Sequence, residues 1–193
     1  SGLLNGDTLS SATLTTLATS QSNVGSYAIT ASNAQGSGLG NYTIAYDTGS
    51  YTITPVALTI TALNQTGTYG QTPALNTADV HASGLLNGDT LSSATLTTLA
   101  TSQSNVGSYA ITASNAQGSG LGNYTIAYDT GSYTITPAAL TITALNQTGA
   151  YGQTPALNTT DVHASGLLNG DTLSSATLTT LATSQSNVGS YAI

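Results

Sequence analysis

Cysteine is absent from all 193 residues, and so are lysine, arginine, glutamate, methionine, phenylalanine and tryptophan. Each absence removes a class of structure or function. Without cysteine no disulfide can brace a small domain, and without lysine no Lys–Asn isopeptide bond can form. The seven acidic residues are all aspartate, so a salt bridge between side chains would need a protonated His81 or His163. Nucleic-acid binding by phosphate neutralisation requires Lys or Arg and is excluded. A polybasic hold on an anionic membrane is excluded for the same reason. Trypsin-like proteases find no cleavage site. No apolar run reaches the roughly 18–20 residues needed for a membrane-spanning helix.

What is present is a repeat. The run that begins at Ser1 recurs at Ser83 and Ser165, an offset of 82 residues each time. Across one full period only three positions differ: Val56 against Ala138, Thr68 against Ala150, and Ala78 against Thr160. A period of this length is too long for a small solenoid repeat and fits a string of small domains, each with its own core. Low charge with abundant Thr, Ser, Asn and Gly can signal disorder. Here, however, the apolar residues alternate within short Thr-rich runs, which is the pattern of ordered strands. Stability must come from strand pairing, a small Leu/Ile/Val/Tyr core and contacts between neighbouring units.

Thr-Ile-Thr-Pro occurs at 52–55 and 134–137, each time followed by a new strand-like run. Proline cannot donate to a ladder and marks a strand end. The unit is therefore read as residues 56–137, flanked by a partial repeat at 1–55 that lacks its opening strand and another at 138–193 that lacks its closing hairpin. The chain is expected to be an internal window of a longer protein. Alternation at 57–63 puts Leu58, Ile60 and Ala62 on one face. Residues 64–73 carry the turn signals Gly67, Gly70 and Pro73. A short strand or irregular turn is expected around Val80, then a tight turn at Asn87-Gly88-Asp89. Leu91, Leu96 and Leu99 fall at a spacing between strand and helix, and the Thr/Ser content favours strand. Residues 108–114, 123–128 and 132–136 read as strands, the last two joined by an Asp129-Thr130-Gly131 hairpin turn. The expected class is all-β. At the unit boundary only Thr-Pro-Ala-Ala separates Ile135 from Leu140, which predicts a restricted hinge and an extended, fairly stiff rod.

Five ordered motifs carry a resemblance. They are Tyr69-Gly70 followed by Pro73, Gly84-Leu85-Leu86-Asn87-Gly88-Asp89-Thr90, and Ser104-Asn105-Val106-Gly107-Ser108-Tyr109, then Asn123-Tyr124 and Tyr133-Thr134-Ile135-Thr136-Pro137. Together they resemble the MBG family of bacterial surface repeats, the YG-type domains of filamentous-haemagglutinin-like adhesins. The resemblance implies a mostly-β, β-grasp-like domain in a tandem array, placed on a bacterial surface or in a secreted fibre, with no catalytic residues.

The side chains offer few sites. His81 and His163 follow Asp79 and Asp161 at i, i+2, a spacing that puts both side chains on one side of a strand. Each unit holds one His and no Cys, so an exposed polar patch is the simpler reading. Asp79, Asp89 and Asp129 are the candidate calcium ligands, yet each loop carries one acid where a calcium loop clusters several. Asp171 is the copy of Asp89; turn formation is the simpler reading of Asp89, Asp171 and Asp129, with calcium held between units as the alternative. No Gly-x-Ser-x-Gly elbow frames a nucleophile. Gly118-Ser119-Gly120-Leu121-Gly122 has neither the helix nor the Lys of a phosphate loop. Tyr109, Tyr124, Tyr128 and Tyr133 could stack on sugars, but in a chain without Phe or Trp they also supply the large packing pieces. Asn41, Asn64, Asn123, Asn146 and Asn158 begin Asn-x-Thr sequons, the acceptor pattern for glycosylation of surface loops. The leading expectation is a mechanical spacer in an extracellular adhesin whose partners are neighbouring repeats. Two alternatives are a filament or sheath self-assembled through exposed strand edges and a glycan-binding module.

Overall fold

Runs in which threonine alternates with an aliphatic residue extend the backbone, because a strand sends successive side chains to opposite faces. The computed structural model describes residues 2–193. They form twelve strands and two single-turn 3-10 segments, Leu39–Asn41 and Leu121–Asn123, with no α-helix among the described residues. No helix there is long and apolar enough to cross a membrane. The first repeat contributes β1 (Thr8–Thr16), β2 (Gly25–Ser37) and β3 (Gly49–Ile53). The middle repeat contributes β4 (Val56–Ala62), β5 (Gln65–Thr68), β6 (Val80–Ser83), β7 (Thr90–Thr98), β8 (Gly107–Ser119), β9 (Tyr124–Asp129) and β10 (Gly131–Thr136). The third contributes β11 (Thr141–Ala144) and β12 (Val162–Ser165).

The sheets run β1-β2-β3, β6-β4-β9, β5-β10-β8-β7 and β11-β12. Both sheets of the middle repeat are mixed. β4 pairs antiparallel with β6 and parallel with β9, while β10 pairs antiparallel with β8 and parallel with β5. By contact the chain divides into two compact units that do not follow the repeat boundaries. One holds residues up to 62 with 77–95 and 113–129, and the other holds 63–76, 96–112 and 130–193. In the first unit Leu58, Ile60 and Ala62 of β4 are buried, as are Ala94 and Ala113. In the second, Leu96, Ala100, Ile111, Tyr133 and Ile135 are buried.

The face read from the sequence for β4 is the buried one. β7 is a strand, and its ambiguous leucine spacing has a physical cause. Leu91 and Ser93 are half-buried, whereas Ala94 and Leu96 are buried, so the inward side changes phase within the strand. The equivalent stretch of β1 slips register against β2 between Leu9 and Ser11 and again between Ser11 and Thr13. Such bulges add residues out of step with the pleat. Opposite them Asn33 and Asn115 take positive φ of 55° and 51°, a conformation asparagine tolerates. The N–H groups that follow are satisfied by tyrosines: Ala34 donates to Tyr46 Oη and Ala116 to Tyr128 Oη, both at 3.0 Å.

Two expectations need correction. The hairpin through Asp129-Thr130-Gly131 does not form, because Thr130 is where the chain changes sheets. β9 runs in register with β4 from Val56 opposite Tyr124 to Thr61 opposite Asp129. β10 already has β8 and β5 as partners, so pairing with β9 would displace one of them. The second correction is β5, which lies inside the segment read as a turn. Its Gln-Thr-Gly-Thr sequence carries no apolar alternation, and the strand exists because β10 pairs with it. Gly67 leaves the space there that the Tyr133 phenol occupies, since a Cβ would land on its oxygen.

Partners also decide which copies become strands. Residues 42–47 copy β9, and 172–180 copy β7, yet neither is a strand. Burial follows the same rule. Ile60 is 0% exposed in β4, while its copy Ile142 in β11 is 45% exposed.

Candidate functional site at the joint between repeats

A tandem array acts through its joints, and the joint here is short. β3 ends at Ile53 and β4 begins at Val56, leaving Thr54 and Pro55 between them, with φ of the proline restrained by its ring. Side chains add lateral bonds. The turn before β7 is closed by Asp89 N–H donating to the Leu86 carbonyl at 2.9 Å. Its central residues Asn87 and Gly88 have φ of 55° and 80°, the paired positive values of a type I′ turn. From this turn Asn87 Nδ2 donates to the Ser20 carbonyl of the preceding repeat at 3.2 Å. Asn123, at the end of its 3-10 turn, accepts from Val24 N–H at 2.9 Å and donates from Nδ2 to Asn23 Oδ1 at 3.0 Å. At the next joint Asn169 Nδ2 donates to the Ser102 carbonyl at 2.8 Å, the same bond one repeat along.

The receiving loop is shaped locally. Thr101 N–H donates to Ser104 Oγ at 2.9 Å, and Ser104 N–H returns to the Thr101 carbonyl at 3.1 Å. Thr19 and Ser22 repeat this reciprocal pair in the first repeat. The donors on the other side were not legible as joint residues in the sequence. Asn-Gly signalled a turn, but the acceptors are backbone carbonyls of another repeat.

Behind the turn, Tyr124 ties it to β9. Leu86 N–H donates to Tyr124 Oη at 2.7 Å, and the phenol donates to Asp89 Oδ2 at 2.8 Å. Tyr42 makes the same pair of bonds to Leu4 and Asp7. Partial burial pushes the Tyr124 phenol above the ordinary value near 10; the Leu86 N–H opposes this, and the hydrogen bond and negative charge of Asp89 reinforce it. A phenol raised in the folded state gives stability that is fully present below the unfolded value of about 10 and is lost as pH rises through the folded value. The melting temperature is therefore expected to fall above pH ~10, and to fall less steeply in a Tyr124→Phe variant. Circular dichroism read alongside phenolate absorbance checks this; identical alkaline slopes in the two proteins would remove Tyr124 as a cause.

Among the described residues no three Asp, Glu, His or Cys side chains come together. Asp89 is engaged by Tyr124, Asp129 is exposed at the end of β9, and Asp79 is half-buried just before β6, where His81 is exposed. Of the sequon residues, Asn41 and Asn146 are exposed. Asn64 Oδ1 accepts from Ser132 N–H at 2.9 Å, and Asn158 Oδ1 accepts from Thr160 Oγ1 at 2.8 Å. Asn123 differs, because the nitrogen that would carry a sugar is the one that donates to Asn23. The four tyrosines weighed as a sugar platform are occupied structurally. Tyr109 donates to the Asn105 carbonyl at 2.8 Å, Tyr133 is buried, and Tyr124 and Tyr128 hold backbone groups as described.

A cleft of about 540 Å³ opens at the first joint, with Tyr51, Ile53, Leu86, Asn123 and Tyr124 in its wall. Tyr51 and Ile53 are copies of Tyr133 and Ile135, which pair with β5 in the middle repeat. Residues 1–55 include no copy of the β5 sequence.

Neither the curated proteins nor the solved structures gave a match to this chain. The family model of the MBG domain (YGX type) matches it three times, at residues 1–52, 58–135 and 140–193. These matches span nearly the whole sequence and fall on either side of the Thr-Pro joints, so the chain belongs to the MBG domain family, of the YGX type, as a tandem array of its repeats.

Proposed function

We propose that this array is a fairly stiff structural spacer within a long secreted protein of the bacterial surface, with no catalytic role. The observation that carries the reading is the joint. Two residues separate β3 from β4, and bonds from Asn87 and Asn123 hold the neighbouring repeat at points away from the covalent connection. A flexible Gly/Ser linker would leave neighbours free to turn; a two-residue connection with lateral bonds opposes that. The setting of MBG repeats in surface adhesin-like proteins supports an extracellular location, and a sequence without Lys or Arg suits exposure to proteases. The partners of each repeat are its neighbours in the chain.

Negative-stain electron microscopy of two-repeat and four-repeat arrays over a range of concentrations tests this. Discrete straight particles whose length doubles with repeat number are expected. Fibres that lengthen with protein concentration would assign the repeats to a self-assembled filament, and freely bent particles would overturn the spacer reading.

A further inference from the structure

The family's Tyr-Gly motif sits just after β5, away from the Asn-mediated bonds of the joint. Gln71 N–H returns to the Thr68 carbonyl at 3.1 Å, and Gly70 takes φ of +87°. This turn meets the Leu168-Asn169-Gly170-Asp171 turn of the following repeat. Tyr69 donates to Asp171 Oδ2 at 3.0 Å. A Cβ on Gly70 would stand 2.5 Å from Leu168 Cδ1, so the leucine lies directly on the glycine.

We infer that the Tyr-Gly pair of each repeat is the receptor for the Leu-Asn-Gly-Asp turn of the next repeat. The phenol selects the aspartate, and the missing side chain of the glycine seats the leucine. The partner is a repeat of the same sequence, docked in one chain direction.

Near-identical repeats in different surroundings supply internal controls. The turn leucine is 64% exposed at Leu4, which has no repeat before it in this chain. It is 50% exposed at Leu86, before which residues 1–55 carry no Tyr-Gly pair, and 38% at Leu168, where Tyr69 and Gly70 are present. Tyr69 is half-buried, whereas its copy Tyr151, in the third repeat, is 72% exposed. Gly152 has φ of +81°, close to that of Gly70, but nothing lies within 4 Å of its Cβ position. The positive φ therefore belongs to the turn itself, and the leucine contact is what the next repeat adds.

The inference rests on the geometry at Tyr69 and stands whether or not the array as a whole is stiff. Because the chain has no cysteine, spin labels at Thr72→Cys and Thr172→Cys report on this contact alone. Pulsed EPR on the full chain is expected to give one dominant distance. Tyr69→Phe should raise the population outside that peak about fivefold, the effect of losing one ordinary hydrogen bond, while Tyr151→Phe leaves it unchanged. Gly70→Ala should broaden the distribution and Gly152→Ala should not, although both substitutions carry the same backbone strain. Equal distributions for Tyr69→Phe and Tyr151→Phe, or for the two glycine variants, would overturn the assignment.

Discussion

Truncating Ile60 to alanine is expected to destabilise the chain by about 2–5 kcal/mol, the range for emptying a closed aliphatic site. The same change at Ile142 should cost under about 1 kcal/mol, as for a partly exposed surface position. The two residues occupy the same place in near-identical repeats. What differs is cover. Ile60 lies in β4 between β6 and β9, opposite Ala82 on one side and Tyr128 on the other, and is fully buried. Ile142 lies in β11, whose one partner strand is β12, and it keeps nearly half its surface. Urea titrations of both variants followed by far-UV circular dichroism measure the difference. Equal losses would mean that these isoleucines act through strand propensity and not through burial.

Gly118→Ala is the second large effect. Gly118 sits in β8 against β7, and a Cβ there would land on the Thr90 carbonyl oxygen, 2.8 Å from its carbon and 3.0 Å from Leu91 Cα. These are backbone atoms, so no side chain can swing aside, and β7 and β8 must separate. Overpacking of this kind costs about 1–3 kcal/mol and occasionally more, or a fall in melting temperature of about 10 °C for a domain of this size. Gly122→Ala is the matched control. It lies four residues along with nothing within 4 Å of its Cβ position and no positive φ, and alanine there should be neutral or slightly stabilising. If the two variants melted together, close approach of the strands would not be what requires Gly118. Gly36 meets the Thr8 carbonyl in the same way in β2, so the requirement recurs with the repeat.

Strands with their own alternation were legible beforehand. β4 declared its buried face through Leu58, Ile60 and Ala62, and β9 and β10 were readable from their Tyr and Ile spacing. The turn at Asn87-Gly88 was readable because few residue pairs accept two positive φ values. The errors lie where structure depends on a partner far along the chain. β5 has no apolar pattern and exists through its parallel pairing with Tyr133–Thr136. The β9–β10 hairpin looked sound because three turn-forming residues joined two good strands, but each strand had better partners elsewhere. The candidate site was hidden for the same reason. Asn87, Asn123 and Tyr69 act on residues 67 to 102 positions away, and no local window reports an acceptor at that distance.

By itself the sequence determined the repeat length, the all-β class, and the exclusion of disulfides and of phosphate binding through basic side chains. Those follow from composition and periodicity, both of which are local or global properties of the string. The tertiary structure alone decided which copies of a given segment become strands, which isoleucine is core and which is surface, and what the Tyr-Gly motif touches. The reason is that a strand's hydrogen bonds and a side chain's burial are completed by neighbours. Sequences that are the same but flanked differently therefore reach different structures, as Ile60 and Ile142 or Tyr69 and Tyr151 do within this one chain.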